Sequence, residues 1–283
     1  MKHIVKLLSL YLIISLFLNS TLFSEETTPY AFAGEKLYYR LIWKGVDAGY
    51  ALAKVHEVKY QGQNVLLLET LARSSDSIDS LFKVRDQIQC YWDPERKQAL
   101  TTIKNLNEGN YRRNYNVHFN YLNNSASYSQ KEYKGNTMTL GEKNSFARDE
   151  LSNKTIYNLP EDIQDVASAL YMLRADAREP VSGTSFSIPV FDDSQLSILK
   201  INVKEKAIIQ TPAGEFETVK IIPEVPSGGF FITHSDISVW ITNDKVRIPV
   251  KVEVIMPVAG KIVIELVKVC NLSNRCPEGL LKK

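Results

Sequence analysis

This chain of 283 residues carries little net charge and few of the side chains from which metal centres are built. Its 34 basic and 32 acidic residues leave a formal charge of +2, and the pI is about 8.2. A nucleic-acid-binding surface normally shows a basic stripe and a higher pI, so no nucleic-acid partner is expected. Only four histidines and three cysteines are present. Composition therefore favours neither a nucleic-acid binder nor a metalloprotein.

The three cysteines divide unevenly. Cys270 and Cys276 enclose the five residues NLSNR, and in an oxidising compartment they could close a small ring that contributes about 2 to 3 kcal/mol. Cys90, within QIQCYW, stands alone on a β-pattern, which is typical of a small buried hydrophobic side chain rather than of a reactive thiol. Because no CxxC pair occurs, a zinc site is not expected. Cys270 and Cys276 are thus a candidate disulfide.

The motifs of common hydrolases and nucleotide-binding enzymes are absent: there is no HExxH, no G-x-S-x-G and no glycine-rich phosphate loop. The best carboxylate pair is Asp192-Asp193, but adjacent residues of a strand point to opposite faces and cannot converge on one bond. A hairpin turn is the favoured interpretation of this pair. His56 and His118 lie among polar strand residues, where a solvated imidazole is the default. We predict no catalytic residue, no metal ligand and no cofactor, and keep an enzyme as a third hypothesis.

The N-terminus has the layout of a secretory signal peptide. Lys2, His3 and Lys6 form a basic start, an apolar run follows, and Ser24 offers a small-residue exit. Residues 1–24 are therefore predicted to be a signal peptide, with an uncleaved anchor as the alternative. Because no cysteine follows the apolar run, a lipoprotein is not expected. The rest of the chain, without a further membrane span, is predicted to be exported and periplasmic or associated with the cell envelope.

Strand signals dominate the remaining sequence. Segments such as EKLYYRLIWKG and NYRRNYNVHFNY alternate apolar and polar residues, and about a dozen such runs joined by short turns indicate antiparallel pairing. One segment has helical spacing instead, and it predicts an amphipathic helix from Pro160 to Ala175, capped by Asn158. A second, shorter helix is predicted within SSDSIDSLFKV. The chain is thus mainly β.

The stretch DISVWITNDKVRIPVKVEV is predicted to be a hairpin with a two-residue turn at Asn243-Asp244. That register puts all the apolar residues on one face, by pairing Thr242 with Lys245, Ile241 with Val246, Val239 with Ile248 and Ile237 with Val250. The other face would then pair Trp240 with Arg247 and Asp236 with Lys251. A cation stacked on an aromatic ring and an opposite-charge pair both favour such a sheet.

The fold prediction is a large, curved, antiparallel β-sheet that forms an open or closed barrel, with the helix packed on its concave side. Residues 25–33 are predicted to be an N-terminal linker and 34–270 a single β-rich domain, followed by a C-terminal tail at 271–283. A polar stretch in the middle of the chain offers an alternative division into lobes 34–150 and 158–270. One continuous sheet is the simpler arrangement.

Several segments, in this order, resemble the exported bacterial family known as domain of unknown function (DUF) 3108. They are AGEKLYYRLIWKGVDAGYALAKV, DSLFKVRDQIQCYWDPE, EGNYRRNY, DVASALYMLR, FSIPVFDD, TPAGEFETVKI and VWITNDKVRIPVKVEV, and together they span nearly all of residues 31–268. The resemblance implies an exported protein with no assigned activity, and it supplies no catalytic residue. In architecture the pattern is also similar to lipoprotein-carrier half-barrels, which is an analogy at the level of fold.

A curved sheet with one covering helix leaves an apolar concavity. We therefore hypothesise that the protein binds a lipid or another hydrophobic component of the envelope without chemical change. The candidate wall residues are Tyr39, Leu41, Trp43, Tyr115, Phe119, Leu170 and Trp240, and the candidate rim residues are Arg112, Arg113 and Arg247. The alternative is an interaction module of the envelope, with a filled core, that recruits a partner protein. For any single candidate, a filled core is the competing interpretation.

Overall fold

The computed structural model describes residues 30–134, 150–224, 236–257 and 260–271, and 68% of these residues belong to the strands of one sheet. The first eight strands are β1 Lys36–Trp43, β2 Val46–Tyr60, β3 Gln63–Ser74, β4 Arg85–Asp93, β5 Gln98–Glu108, β6 Tyr111–Asn120, β7 Ser125–Lys134 and β8 Glu150–Tyr157. The other six are β9 Ser185–Asp192, β10 Gln195–Thr211, β11 Gly214–Glu224, β12 Asp236–Thr242, β13 Pro249–Met256 and β14 Gly260–Cys270. Two short helices, α1 Asp76–Asp79 and α2 Val166–Arg174, complete the described fold.

The sheet is curved and antiparallel, and its fourteen strands run in the order β8-β7-β6-β5-β4-β3-β2-β1-β14-β13-β12-β11-β10-β9. Strand β1 pairs with β2 on one side and with β14 on the other, so one sheet joins the two halves of the chain. The end strands β8 and β9 are not paired with each other, and the sheet is therefore not closed into a barrel. The predicted mainly-β fold with a large curved antiparallel sheet is confirmed.

Because successive strands are antiparallel, their connections alternate between two ends of the sheet. We call one end the upper rim; among the described residues it comprises the connections at 44–45, 75–84, 109–110 and 193–194 and the end of β13. The opposite end, the lower rim, comprises the connections at 61–62, 94–97, 121–124, 212–213 and 243–248 and the start of β1. These two rims set the orientation of every site described below.

Strand β6 shows why this sequence forms half-buried strands. Tyr115, Val117 and Phe119 are buried, whereas the intervening Asn114 and His118 are exposed. A period of two is what a pleated strand requires to place apolar residues on one face. Residues that pair across neighbouring strands lie on the same face, so this face continues from strand to strand across the sheet. We call it the inner face.

Buried apolar residues of the sheet and of helix α2 form three clusters. The first lies over β2 to β7 and includes Trp92, Tyr115 and Phe119, with Tyr171 of α2 packed against them. The second joins β9 to β12 to Ala169 and Leu173 of α2. The third includes Leu37, Val250 and Leu266, close to the point where the tip of the β10–β11 hairpin donates a hydrogen bond from Ala213 N–H to Leu266 O at 3.2 Å. Helix α2 thus packs between the first two clusters.

Helix α2 begins later than the predicted Pro160. Asp165 caps it, since the Asp165 carboxylate accepts a hydrogen bond from Ser168 N–H at 2.6 Å while Ser168 Oγ accepts one from Asp165 N–H at 2.9 Å. The predicted cap, Asn158, has a φ of 63° and lies outside the helix. Residues 160–164 are not helical: residues 161–162 form a turn, and Gln164 exchanges backbone hydrogen bonds with β9. Pairing with the sheet edge therefore overrides the helical periodicity of residues 160–164.

The predicted register of the β12–β13 hairpin is wrong by four residues, since Val239 lies opposite Val252 rather than Ile248. The connection is a six-residue loop, 243–248, instead of a two-residue turn. One oxygen of Asp244 accepts hydrogen bonds from the Thr242 hydroxyl and from two backbone N–H groups of the loop, which closes it in this longer form. Because four is an even number, the apolar residues still share one face.

Cys90 is a free, buried thiol, as expected for a core position. Cys270 is disulfide-bonded, and Cys276, with which it was predicted to pair, lies outside the described residues. The predicted signal peptide at 1–24, the beginning of the linker and most of the C-terminal tail also lie outside them. In the described part of the chain, neither helix has the length and apolarity needed to cross a membrane.

Candidate functional site: an apolar inner face

Eight apolar side chains on four neighbouring strands form a partly exposed area of the inner face. Two rows of cross-strand partners define it: Val239, Val252, Ile264 and Leu41 in the first, and Ile237, Val254, Ile262 and Trp43 in the second. All eight side chains are intermediate in burial. We call this set the apolar strip. Val239 pairs with Ile221 of the second cluster, so the strip lies on the same face as helix α2.

The opposite face of the same strands is largely charged. Arg40 and Glu265 form an ion pair at 2.9 Å. Glu253 forms ion pairs with both Lys251, at 2.9 Å, and Lys261, at 2.8 Å. These ion pairs are partly solvated and contribute little to stability. Their place on the outer face shows that these strands have one solvated side and one apolar side.

Burial along the apolar strip decreases from the lower rim to the upper rim. Val250 and Leu266, one row towards the lower rim, are fully buried. The two rows of the strip are half-buried, and so is Met256, the next inner-face residue at the end of β13. Among the described residues, the inner face is therefore fully buried towards the lower rim and only half-buried from the strip towards the upper rim.

A buried ion pair closes the lower end. Arg174, at the end of α2, donates two hydrogen bonds to the Glu35 carboxylate, at 2.7 and 2.6 Å, and a third to Val246 O at 3.1 Å. The Arg174 guanidinium also lies 4.5 Å from the centroid of the Phe32 ring. These contacts tie the helix to the start of β1 and to the 243–248 loop. The pair is satisfied on all sides, as a buried pair must be.

A second set of ion pairs holds the β9 edge against the inner face of β5 and β6. Lys104 Nζ pairs with Asp192 Oδ1, with both residues buried, and Arg113 Nη1 lies 2.7 Å from Asp193 Oδ1. Phe191 packs edge-on against Phe119, with 5.9 Å between ring centroids. These side-chain contacts, together with the backbone hydrogen bonds between Gln164 and β9, therefore fix the free edge of the sheet. We call these two ion pairs the ionic seam.

Asp86 and Glu108, on the inner face near the upper rim, share a hydrogen bond between their carboxyl groups. Burial, followed by the neighbouring Asp86 carboxylate, raises the pKa of Glu108 to about 7. Burial also raises the pKa of Asp86, against the opposing effect of the Asn107 N–H, which donates to Asp86 Oδ1 at 2.7 Å. Two carboxyl groups that share a hydrogen bond hold one proton between them near neutral pH.

Replacing Glu108 with glutamine is expected to stabilise the protein more at pH 8 than at pH 5. The folded protein keeps a proton that the unfolded chain, with an ordinary pKa of 4.5, releases, so Glu108 makes stability fall as pH rises from about 4.5 to about 7. Glutamine removes this loss. The measurement is the free energy of unfolding of both proteins at the two pH values.

Burial lowers the pKa of His56, which makes stability rise with pH. This opposite contribution is present in both proteins and cancels when the variant is compared with the wild type. The exposed Glu57→Gln variant is the control and should differ from the wild type by the same amount at both pH values. An equal effect of Glu108→Gln at pH 5 and pH 8 contradicts a shared proton at this pair.

Three of the predicted wall residues lie on the inner face, in line along β1. Leu41 and Trp43 belong to the apolar strip, and Lys44 Nζ lies 4.7 Å from the centroid of the Trp43 ring. Tyr39 lies one row deeper, packs against the third cluster and donates a hydrogen bond to Pro249 O at 2.9 Å. The sequence therefore identified one strand of the strip.

The other predicted wall residues are arranged differently. Tyr115 and Phe119 are core residues of the first cluster, with 1% and 9% of their surface exposed. Leu170 is half-buried, while its neighbours Ala169 and Tyr171 are among the buried residues of the helix. Trp240 is one position out of phase with Val239 and is buried in the third cluster, with the ammonium groups of Lys220 and Lys251 at 5.2 and 5.1 Å from its ring.

The structure places two of the three predicted rim arginines in the interior. Arg113 belongs to the ionic seam. Arg247 is 4% exposed, and it donates hydrogen bonds to Leu173 O, in the last turn of α2, at 2.8 Å and to Arg178 O, just after the helix. Only Arg112 lies at the upper rim, half-buried, with Nη1 donating to Gly109 O at 2.8 Å. Tertiary hydrogen bonds that no local pattern shows draw Arg113 and Arg247 inward.

Sequence reasoning missed most of the apolar strip. The alternation in GKIVIEL and PVKVEV predicted strands but gave no sign that these strands adjoin β1, more than 200 residues earlier. It also missed Glu35 with Arg174 and Lys104 with Asp192. Within the described residues, no group of three or more His, Cys, Asp or Glu side chains is arranged to hold a metal ion.

An open, curved antiparallel sheet with a helix at one end and an apolar inner face defines a barrel-like β-protein. A family profile described as "Protein of unknown function (DUF3108)" matches residues 38–267. The chain belongs to this family, which confirms the resemblance seen in the sequence. The family has no established function, so membership assigns no catalytic role. A search among curated proteins gave no match.

One solved structure shares this architecture at low sequence identity. The chain is similar to a beta-barrel-like protein of domain of unknown function DUF1849 from Brucella abortus, with a TM-score of 0.52 and 9% identity over 85% of this chain and 98% of that one. A protein from Bacteroides fragilis, described as exported and of YmcC-like fold, has a TM-score of 0.35 and 9% identity over 84% and 96% of the two chains. The first likeness supports the fold alone.

Proposed function

We propose that this protein binds a lipid or another hydrophobic component of the cell envelope and holds it without chemical change. The observation that carries the proposal is the apolar strip: eight apolar side chains, all partly exposed, on the face of the sheet that should be buried. A partly exposed apolar surface on the inside of a curved sheet is stabilised when an apolar ligand displaces water from it. The charged outer face of the same strands offers no such gain.

The arrangement suits an elongated apolar ligand that enters at the upper rim. The lower end of the concavity is closed by α2 and by the Glu35–Arg174 pair, so a chain lying on the strip would stop at Val250 and Leu266. Each fully covered valine, leucine or isoleucine would contribute about 1.5 to 3 kcal/mol relative to its exposed state. Such binding needs no catalytic group, in keeping with the absence of hydrolase motifs from the sequence.

Export to the periplasm or the envelope is part of this proposal. It rests on the basic start, apolar run and small-residue exit of residues 1–24, which lie outside the described residues. A hydrophobic ligand of the envelope would be met in that compartment.

The Ile264→Gln variant, purified without detergent, is expected to retain about tenfold less co-purified lipid than the wild type, because an amide in the strip must lose its hydration when an acyl chain covers it. Val263→Gln is the matched control, since Val263 is the next residue, is also half-buried and faces outward. Leu41→Gln and Ile42→Gln form a second pair of the same design. Mass spectrometry of the organic extract measures the lipid.

An interaction module that recruits a partner protein is the second candidate, because the first and second clusters fill the inner face beside α2. Absence of co-purified lipid from the wild type, together with capture of one envelope protein, would favour the module. Equal lipid in the Ile264→Gln and Val263→Gln variants would also count against binding on the strip.

A further inference from the structure

Exposed apolar side chains project from the upper rim on three connections that are distant in sequence. Leu81 is 69% exposed, Phe82 50%, Val46 52% and Ile255 47%. Single exposed apolar residues are ordinary, but Leu81 and Phe82 are consecutive and follow directly on α1. Their exposure leaves two large side chains in water at the mouth of the concavity.

The loop that carries Leu81 and Phe82 is held in place rather than loose. Both backbone N–H groups donate to Ile78 O at 2.8 Å, which closes the turn after α1. At the base of the loop, Ser75 N–H donates to Ala48 O at 2.9 Å, joining it to the start of β2. Insertion of these side chains into a partner would therefore require little further ordering of the chain.

An ion pair across the same loop adds to this rigidity. Arg85 Nη1 donates to Asp79 Oδ1 at 3.0 Å, and hydrogen bonds from Ser74 and Arg85 hold the pKa of Asp79 below its usual value. On the far side, Gly109 N–H donates to Lys83 O at 2.7 Å, and a Cβ added to Gly109 would meet the Phe82 ring. The connections after β1, β3 and β5 thus form one structural unit at the rim.

Basic side chains lie directly beside the exposed apolar ones. Lys83 follows Phe82, and Lys44 lies two residues before Val46; both lysines are exposed. The acidic residues Asp47 and Asp76 are exposed on the same connections, so the rim has no large net charge. The combination of apolar tips with adjacent lysines matches a lipid surface, where apolar groups enter between headgroups and lysines contact lipid phosphates.

The exposed rim is continuous with the apolar strip. Trp43, in the second row of the strip, pairs with Val46 across the β1–β2 turn, and Met256 is the next residue after Val254 on the inner face of β13. An apolar path therefore leads from the tips of the rim to the inner face, without crossing a charged side chain on β1 or β13.

We infer that the upper rim docks on the surface of a lipid bilayer containing anionic lipid, with Leu81 and Phe82 inserted among the headgroups and Lys44 and Lys83 against phosphate groups. Docking concerns the rim and stands apart from lipid binding on the strip. It would place the mouth of the concavity against the bilayer. Acyl chains would then reach the apolar strip without passing through water.

Flotation with vesicles tests the inference. Protein produced by export of the full chain, with its N-terminus determined by mass spectrometry, is mixed at low salt with vesicles of phosphatidylcholine and phosphatidylglycerol. The L81Q/F82Q variant is expected to bind about tenfold more weakly than the wild type, because two apolar insertions are lost. L122Q is the matched control, since Leu122 is fully exposed at the lower rim. Circular dichroism checks that all three proteins are folded.

The K44Q/K83Q variant tests the charge contribution. We expect it to bind anionic vesicles about tenfold more weakly at low salt and to bind pure phosphatidylcholine vesicles as the wild type does. Equal flotation of wild type, L81Q/F82Q and L122Q overturns the inference, and so does failure of the wild type to float. Flotation without co-purified lipid leaves the docking rim intact and contradicts only the proposed function.

Discussion

Replacing Arg174 with methionine is expected to lower the free energy of unfolding by about 3 to 5 kcal/mol. The side chain of Arg174 is fully buried, and its partner Glu35 is 6% exposed, so the variant leaves a carboxylate in the interior without a cation. The hydrogen bond to Val246 O is lost as well, which frees the 243–248 loop from the helix. Equilibrium unfolding in urea measures the change.

Two further variants identify the cause of this loss. Arg178, four residues on, pairs with Asp176 at 2.6 Å, but its side chain is 72% exposed, so Arg178→Met should change the free energy of unfolding very little. The double variant Glu35→Gln with Arg174→Met removes the unpaired buried carboxylate and should recover a large part of the lost free energy of unfolding. A loss of less than about 1 kcal/mol in Arg174→Met alone would show that the pair does not hold the lower end of the fold.

Replacing Asp165 with alanine is the second change with a large expected effect, a loss of about 2 to 4 kcal/mol. Asp165 is 2% exposed and caps α2, while its second oxygen accepts a hydrogen bond from Thr102 Oγ1 at 2.6 Å. Alanine therefore removes the helix cap and leaves the buried Thr102 hydroxyl without this partner. Thermal unfolding followed by circular dichroism reports the change.

Asparagine at the same position is the informative comparison. It is as good a helix cap as aspartate, but it has one acceptor oxygen instead of two, so Asp165→Asn should lose less stability than Asp165→Ala. The exposed Asp162→Ala variant should be close to neutral. If Asp165→Ala is also neutral, the capping box does not anchor α2 to strand β5.

The strands were predictable because each carries its own signal. In β6 the alternation of Tyr115, Val117 and Phe119 with polar residues is enough to indicate a half-buried strand. The register of β12 on β13 was not predictable, since two alignments that differ by four residues bury the same face. Hydrogen bonds to the Asp244 side chain, which appear only in the closed loop, choose between them.

The helix shows the same division. The apolar spacing of Val166 and Leu173 predicts a helix, and one is present, but residues 160–164, which were predicted to begin it, are not helical. What decides between the two is the sheet edge. Gln164 hydrogen bonds to Pro189 and Phe191 of β9, and a backbone bond made across 25 residues is invisible to local periodicity.

For the candidate site, the sequence by itself indicated that apolar strand residues form it, but not which strands contribute them. It identified Leu41 and Trp43 because they alternate within one strand, and it predicted an antiparallel sheet, an apolar inside and membership of the DUF3108 family. Only the tertiary structure brought β12, β13 and β14 beside β1 and turned Trp240, Arg113 and Arg247 away from the predicted wall and rim. The physical reason is that alternation is a property of one strand, whereas adjacency, burial and ion pairing depend on segments that meet only when the sheet curves.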